Sequence, residues 1–196
     1  MTRRLSSTSL IVAAIVALVA LGGVAGILHN RPGGPGGAPP LAGTVAHFNL
    51  LNPRRPAPAV SFGSVDGKDV AMTTFRGQVV LVNFWATWCL PCLSEMPALD
   101  RLQAKLGGSD FSVAAVSIDR GGRATAEPWL QEHGIRNLTL YLDPQSRTAL
   151  GFRVAELPVS VLIDRKGRIV GRMVGPAEWD APEAVALVRH VIAETP

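Results

Sequence analysis

The two cysteines of this chain, Cys89 and Cys92, have the spacing of a dithiol redox centre. They follow the apolar run 79–85, which is typical of a buried strand, and they precede a segment with a helical pattern. Cys89 therefore lies at a helix N-terminus, where free backbone N–H groups and the helix dipole stabilise a thiolate. A thiolate attacks disulfides, and Cys92, one helical turn on, can resolve the mixed disulfide. We expect Cys89 to be the nucleophile and the more exposed and more acidic thiol.

A structural disulfide and half of a zinc site are the two alternatives for this pair. Zinc usually takes four ligands, but the sequence has no second C-x-x-C, and its histidines are scattered at positions 29, 47, 133 and 190. A purely structural bridge over so short a loop would contribute little entropy. Three methionines, Met72, Met96 and Met173, lack ligand spacing and are expected in the core. The sequence therefore predicts no metal and no cofactor beyond the cysteine pair.

The N-terminal segment predicts export from the cytoplasm. Residues 10–28 carry no charge and are almost wholly apolar. About 19 helical residues rise about 28 Å, which is close to the thickness of the bilayer hydrocarbon. Arg3 and Arg4 favour a cytoplasmic N-terminus. We expect residues 1–9 to be cytoplasmic and residues 10–28 to be a transmembrane anchor; a signal peptide cleaved after residues 20–22 is the alternative.

Glycine and proline dominate the next stretch. Residues 31–40 read R-P-G-G-P-G-G-A-P-P, and residues 52–58 are also rich in proline. We expect a tether over residues 29–58 and a folded domain over residues 59–196, which is long enough to bury a core. The net charge is +4, of which Arg3 and Arg4 contribute two, and no run of Lys and Arg exceeds two residues. Nucleic-acid binding therefore has little support.

Strands and helices alternate along the predicted domain, which indicates an α/β fold with a mixed sheet. Apolar runs predict strands at 60–62, 70–72, 79–85, 111–118, 138–142, 159–164 and 168–174. Helical patterns cover 90–105, 124–133, 146–152 and 182–193. The Asp66-Gly67 pair predicts an N-terminal hairpin, Pro97 predicts a kink in the first helix, and Asp180 is expected to cap the last helix.

Several motifs together resemble the thioredoxin superfamily. Residues 84–92 read F-W-A-T-W-C-L-P-C, Pro97 follows Cys92 by five residues, and Leu157-Pro158 precedes a strand. The string 81–89 with Glu95-Met96-Pro97 looks like the TlpA/ResA branch, and residues 175–179 (G-P-A-E-W) look like its TlpA members. This resemblance implies a thioredoxin-like fold with a central strand–helix insertion across residues 111–133.

The resemblance also implies a function and a location. Proteins of this branch are membrane-anchored reductases that face the periplasm. Their partners are disulfide-containing proteins of cytochrome maturation, such as apocytochrome c with its C-x-x-C-H motif or copper-site assembly proteins of cytochrome oxidase. Electrons would come from a membrane thiol reductase. A cis bond before Pro158 would bring the backbone of Leu157 beside the sulfurs, where an incoming peptide could pair with it; an ordinary trans proline is the alternative.

Supporting roles follow for the neighbours of the cysteines. Glu95 shares a helix face with Cys92 and could carry its proton; a solvated surface glutamate is the alternative. Asn83 stands where thioredoxin has an aspartate, and because an amide cannot titrate, the proton transfer shifts to Glu95 or water. Leu90 and Pro91 separate the cysteines and set the stability of the pair. Of Trp85 and Trp88, we expect one in the core and one at the rim of the site.

Two other functions share parts of this pattern. A peroxiredoxin has the same fold and hairpin, but it expects a cysteine framed by Pro and Thr rather than W-C-L-P-C. A copper chaperone could use both cysteines as soft ligands, with His133 as a further ligand if the fold brings it close. Peroxide turnover and metal titration of the reduced protein discriminate these functions from disulfide reduction.

Overall fold

The computed structural model of the protein describes residues 38–39 and 41–194. Within these described residues, eight strands and four α-helices form one α/β unit, which confirms the predicted α/β fold class. The strands are β1 (Asn49–Pro56), β2 (Ser61–Ser64), β3 (Asp69–Ala71), β4 (Val79–Trp85), β5 (Phe111–Ser117), β6 (Thr139–Leu142), β7 (Val159–Ile163) and β8 (Arg168–Val174). The helices are α1 (Leu90–Leu106), α2 (Arg123–Glu132), α3 (Arg147–Gly151) and α4 (Pro182–Ala193), with 3-10 turns at Gly43–Val45 and Met72–Phe75.

The strands form a single mixed sheet in the order β1-β8-β7-β4-β5-β6-β2-β3. Strands β4, β5 and β6 are parallel, and all other pairs are antiparallel. All seven residues of β4 are buried, as expected for a central strand covered on both faces. The predicted hairpins β2–β3 and β7–β8 are confirmed.

Helices cover both faces of the sheet. Successive side chains of β4 point to opposite faces, so the strand contributes to a core on each side. Leu81 and Trp85 pack in the larger core, together with apolar residues of α1, α2 and α4. Val82 and Phe84 pack in the second core with α3 and the turn Met72–Phe75. Since α1 begins directly beyond the end of β4, this packing fixes where the cysteines lie.

The folded unit begins well before residue 59, so the predicted end of the tether is wrong. Val45 is fully buried, and Phe48 is 2% exposed. Strand β1 pairs with β8, with Asn49 opposite Arg172. The proline content of β1 suggested a linker, but β1 is an edge strand, where a residue without an N–H costs few ladder hydrogen bonds.

The cap of the last helix also differs from the prediction. Ala181 is the N-cap of α4, and no side chain caps the helix. Asp180 instead accepts a hydrogen bond from Arg101 Nε at 2.6 Å. A charge-assisted bond to α1 has replaced the expected bond to the N–H groups of α4.

The predicted anchor, residues 10–28, and the predicted cytoplasmic residues 1–9 lie outside the described residues. Within residues 38–39 and 41–194, no helix is both long and apolar enough to span a bilayer.

Candidate redox site

The two cysteines meet at the N-terminus of α1 as a disulfide. Cys89 is the N-cap residue, with 5.3 Å between its Cα atom and that of Cys92. The backbone N–H of Cys92 donates to Cys89 Sγ at 3.3 Å. Cys89 is 6% exposed and Cys92 is fully buried, which is the order expected from the sequence. An incoming sulfur therefore reaches Cys89 first.

The loop before Cys89 is held by a buried carboxylate at the end of β5. Asp119 accepts hydrogen bonds from Thr87 N (3.0 Å) and Thr87 Oγ1 (2.8 Å), and a third from Ser117 Oγ (2.8 Å). Asp119 is 2% exposed. Sequence reasoning missed this residue; the available signal was a carboxylate directly after a buried strand that runs parallel to β4. The contact fixes the backbone two residues ahead of Cys89.

An apolar cleft of about 580 Å³ opens beside Cys89. Three large apolar side chains line it while remaining mostly exposed: Trp88 (67%), Leu90 (77%) and Leu150 (70%). Pro91, in the first turn of α1, Ile118 and Val154 complete much of its wall. Trp85 is fully buried, so the expected division between a core tryptophan and a rim tryptophan is confirmed. Clustered exposed apolar groups are typical of an interaction site.

The second wall of the cleft comes from the loop before β7. Leu157 lines the cleft together with Cys89, and the Leu157–Pro158 peptide bond is cis, as expected. The carbonyl of Pro158 accepts a hydrogen bond from Gly175 N at 2.9 Å. The structure thus brings Leu157 to the same cleft as Cys89, and Pro158 is the next residue along the chain.

Glu95 lies in the interior, three residues beyond Cys92 on α1, with 2% exposure. Burial excludes the alternative of a solvated surface glutamate. Glu95 Oε2 accepts hydrogen bonds from Ala177 N (3.1 Å) and Trp179 Nε1 (3.3 Å). Burial raises the pKa of Glu95 to about 7, and the hydrogen bonds to its carboxylate oppose the rise. The carboxyl can therefore gain or lose a proton near neutral pH.

Asn83, on β4, binds Glu95 from the other side. Its Nδ2 donates to Glu95 Oε1 at 2.7 Å and to Ser160 Oγ at 3.0 Å. Sequence reasoning placed Asn83 and Glu95 in the site but missed Ser160 and the role of Trp179, although Trp179 belongs to the motif 175–179. Pro97 lies within α1, two residues after Glu95.

The described residues contain no group of three or more His, Cys, Asp or Glu side chains that could hold a metal ion. His133 stacks on Trp129, with ring centroids 4.0 Å apart. Met72, Met96 and Met173 are buried in the two cores, as expected for residues that fill apolar space.

Comparison with known proteins assigns this site to a family. The profile of the Redoxin family matches residues 53–188. The chain belongs to the redoxin family. It is 37% identical over 124 residues to a thiol:disulfide interchange protein DsbE homolog of Paracoccus denitrificans, an alignment that covers 62% of this chain and 66% of the relative. It is 29% identical over 119 residues to the thiol-disulfide oxidoreductase ResA of Bacillus anthracis, covering 61% and 68%. The chain thus spans about two thirds of the length of each.

Solved structures agree with this assignment. A thioredoxin-family thiol:disulfide interchange protein from Chlorobium tepidum superposes with a TM-score of 0.59 at 27% identity, covering 71% of this chain and 97% of the other. The pneumococcal exposed lipoprotein thioredoxin of Streptococcus pneumoniae superposes with a TM-score of 0.53 at 29% identity, covering 63% of this chain and 93% of the other. The predicted thioredoxin-like fold and TlpA/ResA-type resemblance are confirmed. The redoxin domain is of the thiol–disulfide oxidoreductase type.

Proposed function

We propose that this protein is a membrane-anchored periplasmic reductase of disulfides in partner polypeptides. The observation that carries the proposal is the apolar cleft at Cys89, with three large side chains left exposed at its wall. A small polar disulfide such as oxidised glutathione has little apolar surface to cover them. A polypeptide can cover them with apolar side chains near its own disulfide, in the manner of a protein interface.

The reaction is a pair of thiol–disulfide exchanges. The Cys89 thiolate attacks one sulfur of the partner disulfide, which forms a mixed disulfide and releases the other sulfur as a thiolate that takes up a proton. Cys92 then loses its proton and attacks Cys89 Sγ. The partner leaves with two thiols, reduced by two electrons, and the Cys89–Cys92 disulfide seen here is the oxidised product.

Glu95 is the group we assign to the proton of Cys92. The thiol of Cys92 is buried and must be deprotonated to attack, and Glu95 is the titratable side chain one turn beyond it on α1. A pKa near 7 lets the carboxylate accept a proton at neutral pH and release it afterwards. Asn83 contributes a hydrogen bond and no proton transfer.

The partners and the location rest on the sequence and on the relatives. Residues 10–28 would hold the domain at the membrane, close to a membrane thiol reductase, and so raise the effective concentration of the electron donor. Apocytochrome c and copper-site assembly proteins are the partners that the TlpA/ResA resemblance favours. An oxidising periplasm does not oppose a reductant, because that compartment is kept oxidising by kinetics rather than by a buffer.

A pair of matched variants tests the substrate class. Leu150→Ser removes one exposed apolar side chain from the cleft, while Val174→Ser removes an exposed apolar side chain that does not line it. With an oxidised C-x-x-C-H peptide as substrate, we expect Leu150→Ser to lower kcat/KM several-fold. Val174→Ser should match the unsubstituted protein, and turnover of oxidised glutathione should be equal for all three. If Leu150→Ser lowered kcat/KM equally for the oxidised peptide and for oxidised glutathione, the result would contradict a polypeptide-binding cleft.

The direction of electron flow is tested by equilibration against glutathione. A reductant should have a potential well below the roughly −120 mV typical of strong periplasmic oxidants. A value close to that figure would replace the reductase assignment with disulfide donation.

A further inference from the structure

The chain segment before β1 hydrogen-bonds to the loop between β8 and α4 and to the first turn of α4. Thr44 Oγ1 accepts a hydrogen bond from Glu178 N at 2.8 Å, and Thr44 N donates to Glu183 Oε1 at 3.1 Å. Gly43 has φ +51°, and a Cβ atom there would collide with the carboxylate of Glu183. Val45, the next residue after Thr44, is fully buried. The segment therefore docks at a fixed position on this loop.

The same loop holds the carboxyl of Glu95. Its Ala177 N and Trp179 Nε1 both donate to Glu95 Oε2, and Trp179 N donates to Ala177 O at 3.0 Å. Trp179 is fully buried. Glu178, whose N–H is bound by Thr44, thus lies between the two residues that hydrogen-bond to Glu95.

We propose that Thr44 is a positioning residue of the redox centre: by binding Glu178, it keeps Ala177 and Trp179 on the carboxylate of Glu95. The proposal builds on the function proposed above, because it concerns the group assigned to the proton of Cys92. It also places a residue from the middle of the predicted tether two hydrogen bonds away from that group.

The groups that face Glu95 fix the direction of the effect. Asn83 from β4 and the Ala177 and Trp179 donors from the loop are uncharged, and Cys92 lies one turn earlier on α1. The loop's own acidic groups are turned elsewhere: Glu178 is exposed, and Asp180 binds Arg101. Donors to a carboxylate favour its ionised form. If the hydrogen bonds from Ala177 and Trp179 weaken while Glu95 stays buried, the pKa of Glu95 should therefore rise above about 7.

Infrared titration of the oxidised full-length protein reads this group directly. The carbonyl band of protonated Glu95 is assigned by its loss in Glu95→Gln, and its pH midpoint is then followed in each variant. Trp179→Phe removes one donor and should raise the midpoint by about one pH unit. Thr44→Val should raise it by about half that amount. Thr44→Ser, which keeps the hydroxyl, should retain the original midpoint, as should Thr74→Val, a change at an exposed threonine before β4.

An unchanged midpoint in Thr44→Val, alongside a raised one in Trp179→Phe, would contradict the positioning role. Thr44→Ala removes the same hydroxyl without adding a methyl group, and it must show the same shift. The proposed reductase function would survive that failure, since the trapping of partners through Cys89 does not depend on the midpoint. Conversely, a protein that shows these shifts but traps no partner would fail as a reductase and still support the positioning role.

Discussion

Asn83 Nδ2 lies 2.7 Å from Glu95 Oε1 in the interior of the protein. The pair joins the central strand to the helix that carries both cysteines, and both residues are almost fully buried. Because the amide of Asn83 cannot titrate, Glu95 is the ionisable member of this pair. The protonation of this one carboxyl is therefore expected to affect both stability and exchange chemistry.

The stability of the oxidised protein should fall as the pH rises from about 4.5 to about 7. The folded state raises the pKa of Glu95 from its ordinary value of 4.5 to about 7. The folded state thus keeps a proton that the unfolded state has already lost, so the stabilising contribution is complete below pH 4.5 and is gone above pH 7. The contribution of Glu95 amounts to about 3 kcal/mol in the free energy of unfolding.

Urea unfolding at a series of pH values measures this contribution. Glu95→Gln should flatten the profile between pH 4.5 and 7, while Glu132→Gln, an exposed glutamate on α2, should leave it unchanged. A Glu95→Gln profile that falls as steeply as the original would mean that another group is responsible.

Removal of residues 41–58 should destabilise the domain strongly. A chain shortened to residues 41–196 keeps β1, Val45 and Phe48, and we expect it to fold and retain redox activity. A chain shortened to residues 59–196 loses two buried apolar side chains, each worth about 1.5–3 kcal/mol, and the edge strand. The shorter chain should unfold at a clearly lower urea concentration, with a loss of about 4 kcal/mol or more. Equal midpoints would show that the segment adds nothing to stability.

The central strand and the cysteine helix were predictable because local signals are strong there. The run 79–85 is apolar without interruption, and every strand and helix predicted from residue 60 onward is present, with ends that differ by at most two residues. Prolines misled the prediction of the domain start, because Pro53 and Pro56 are tolerated at a sheet edge.

The contacts that complete the site were harder to predict because they join distant parts of the sequence. Glu95 meets Trp179, and Thr87 meets Asp119, only after the sheet has formed. Neither pair has a local spacing that would reveal it. Spacing identified the side chains on α1, whereas the donors that determine the properties of Glu95 come from β4 and from the loop before α4.

Alkylation of the reduced protein should modify Cys89 faster than Cys92. Cys89 is the N-cap of α1 and lines the cleft, while Cys92 has no exposed surface. The helix N-terminus stabilises the thiolate of Cys89, and its position in the cleft admits the reagent. Peptide mapping after brief treatment with iodoacetamide should show at least about ten-fold more label on Cys89. Preferential labelling of Cys92 would reverse the assignment of nucleophile and resolving thiol.

Trapping of the mixed disulfide tests the central claim most directly. Cys92→Ser removes the resolving thiol, so a partner attacked by Cys89 should remain attached to it. The full-length Cys92→Ser protein, produced in its native host and analysed without reductant, should carry polypeptides in disulfide linkage to Cys89 that a reductant releases. Cys89→Ser, which keeps only the buried thiol, should carry few or none. Adducts that form equally on Cys89→Ser, or a Cys92→Ser protein that binds only glutathione, would contradict a polypeptide-disulfide reductase acting through Cys89.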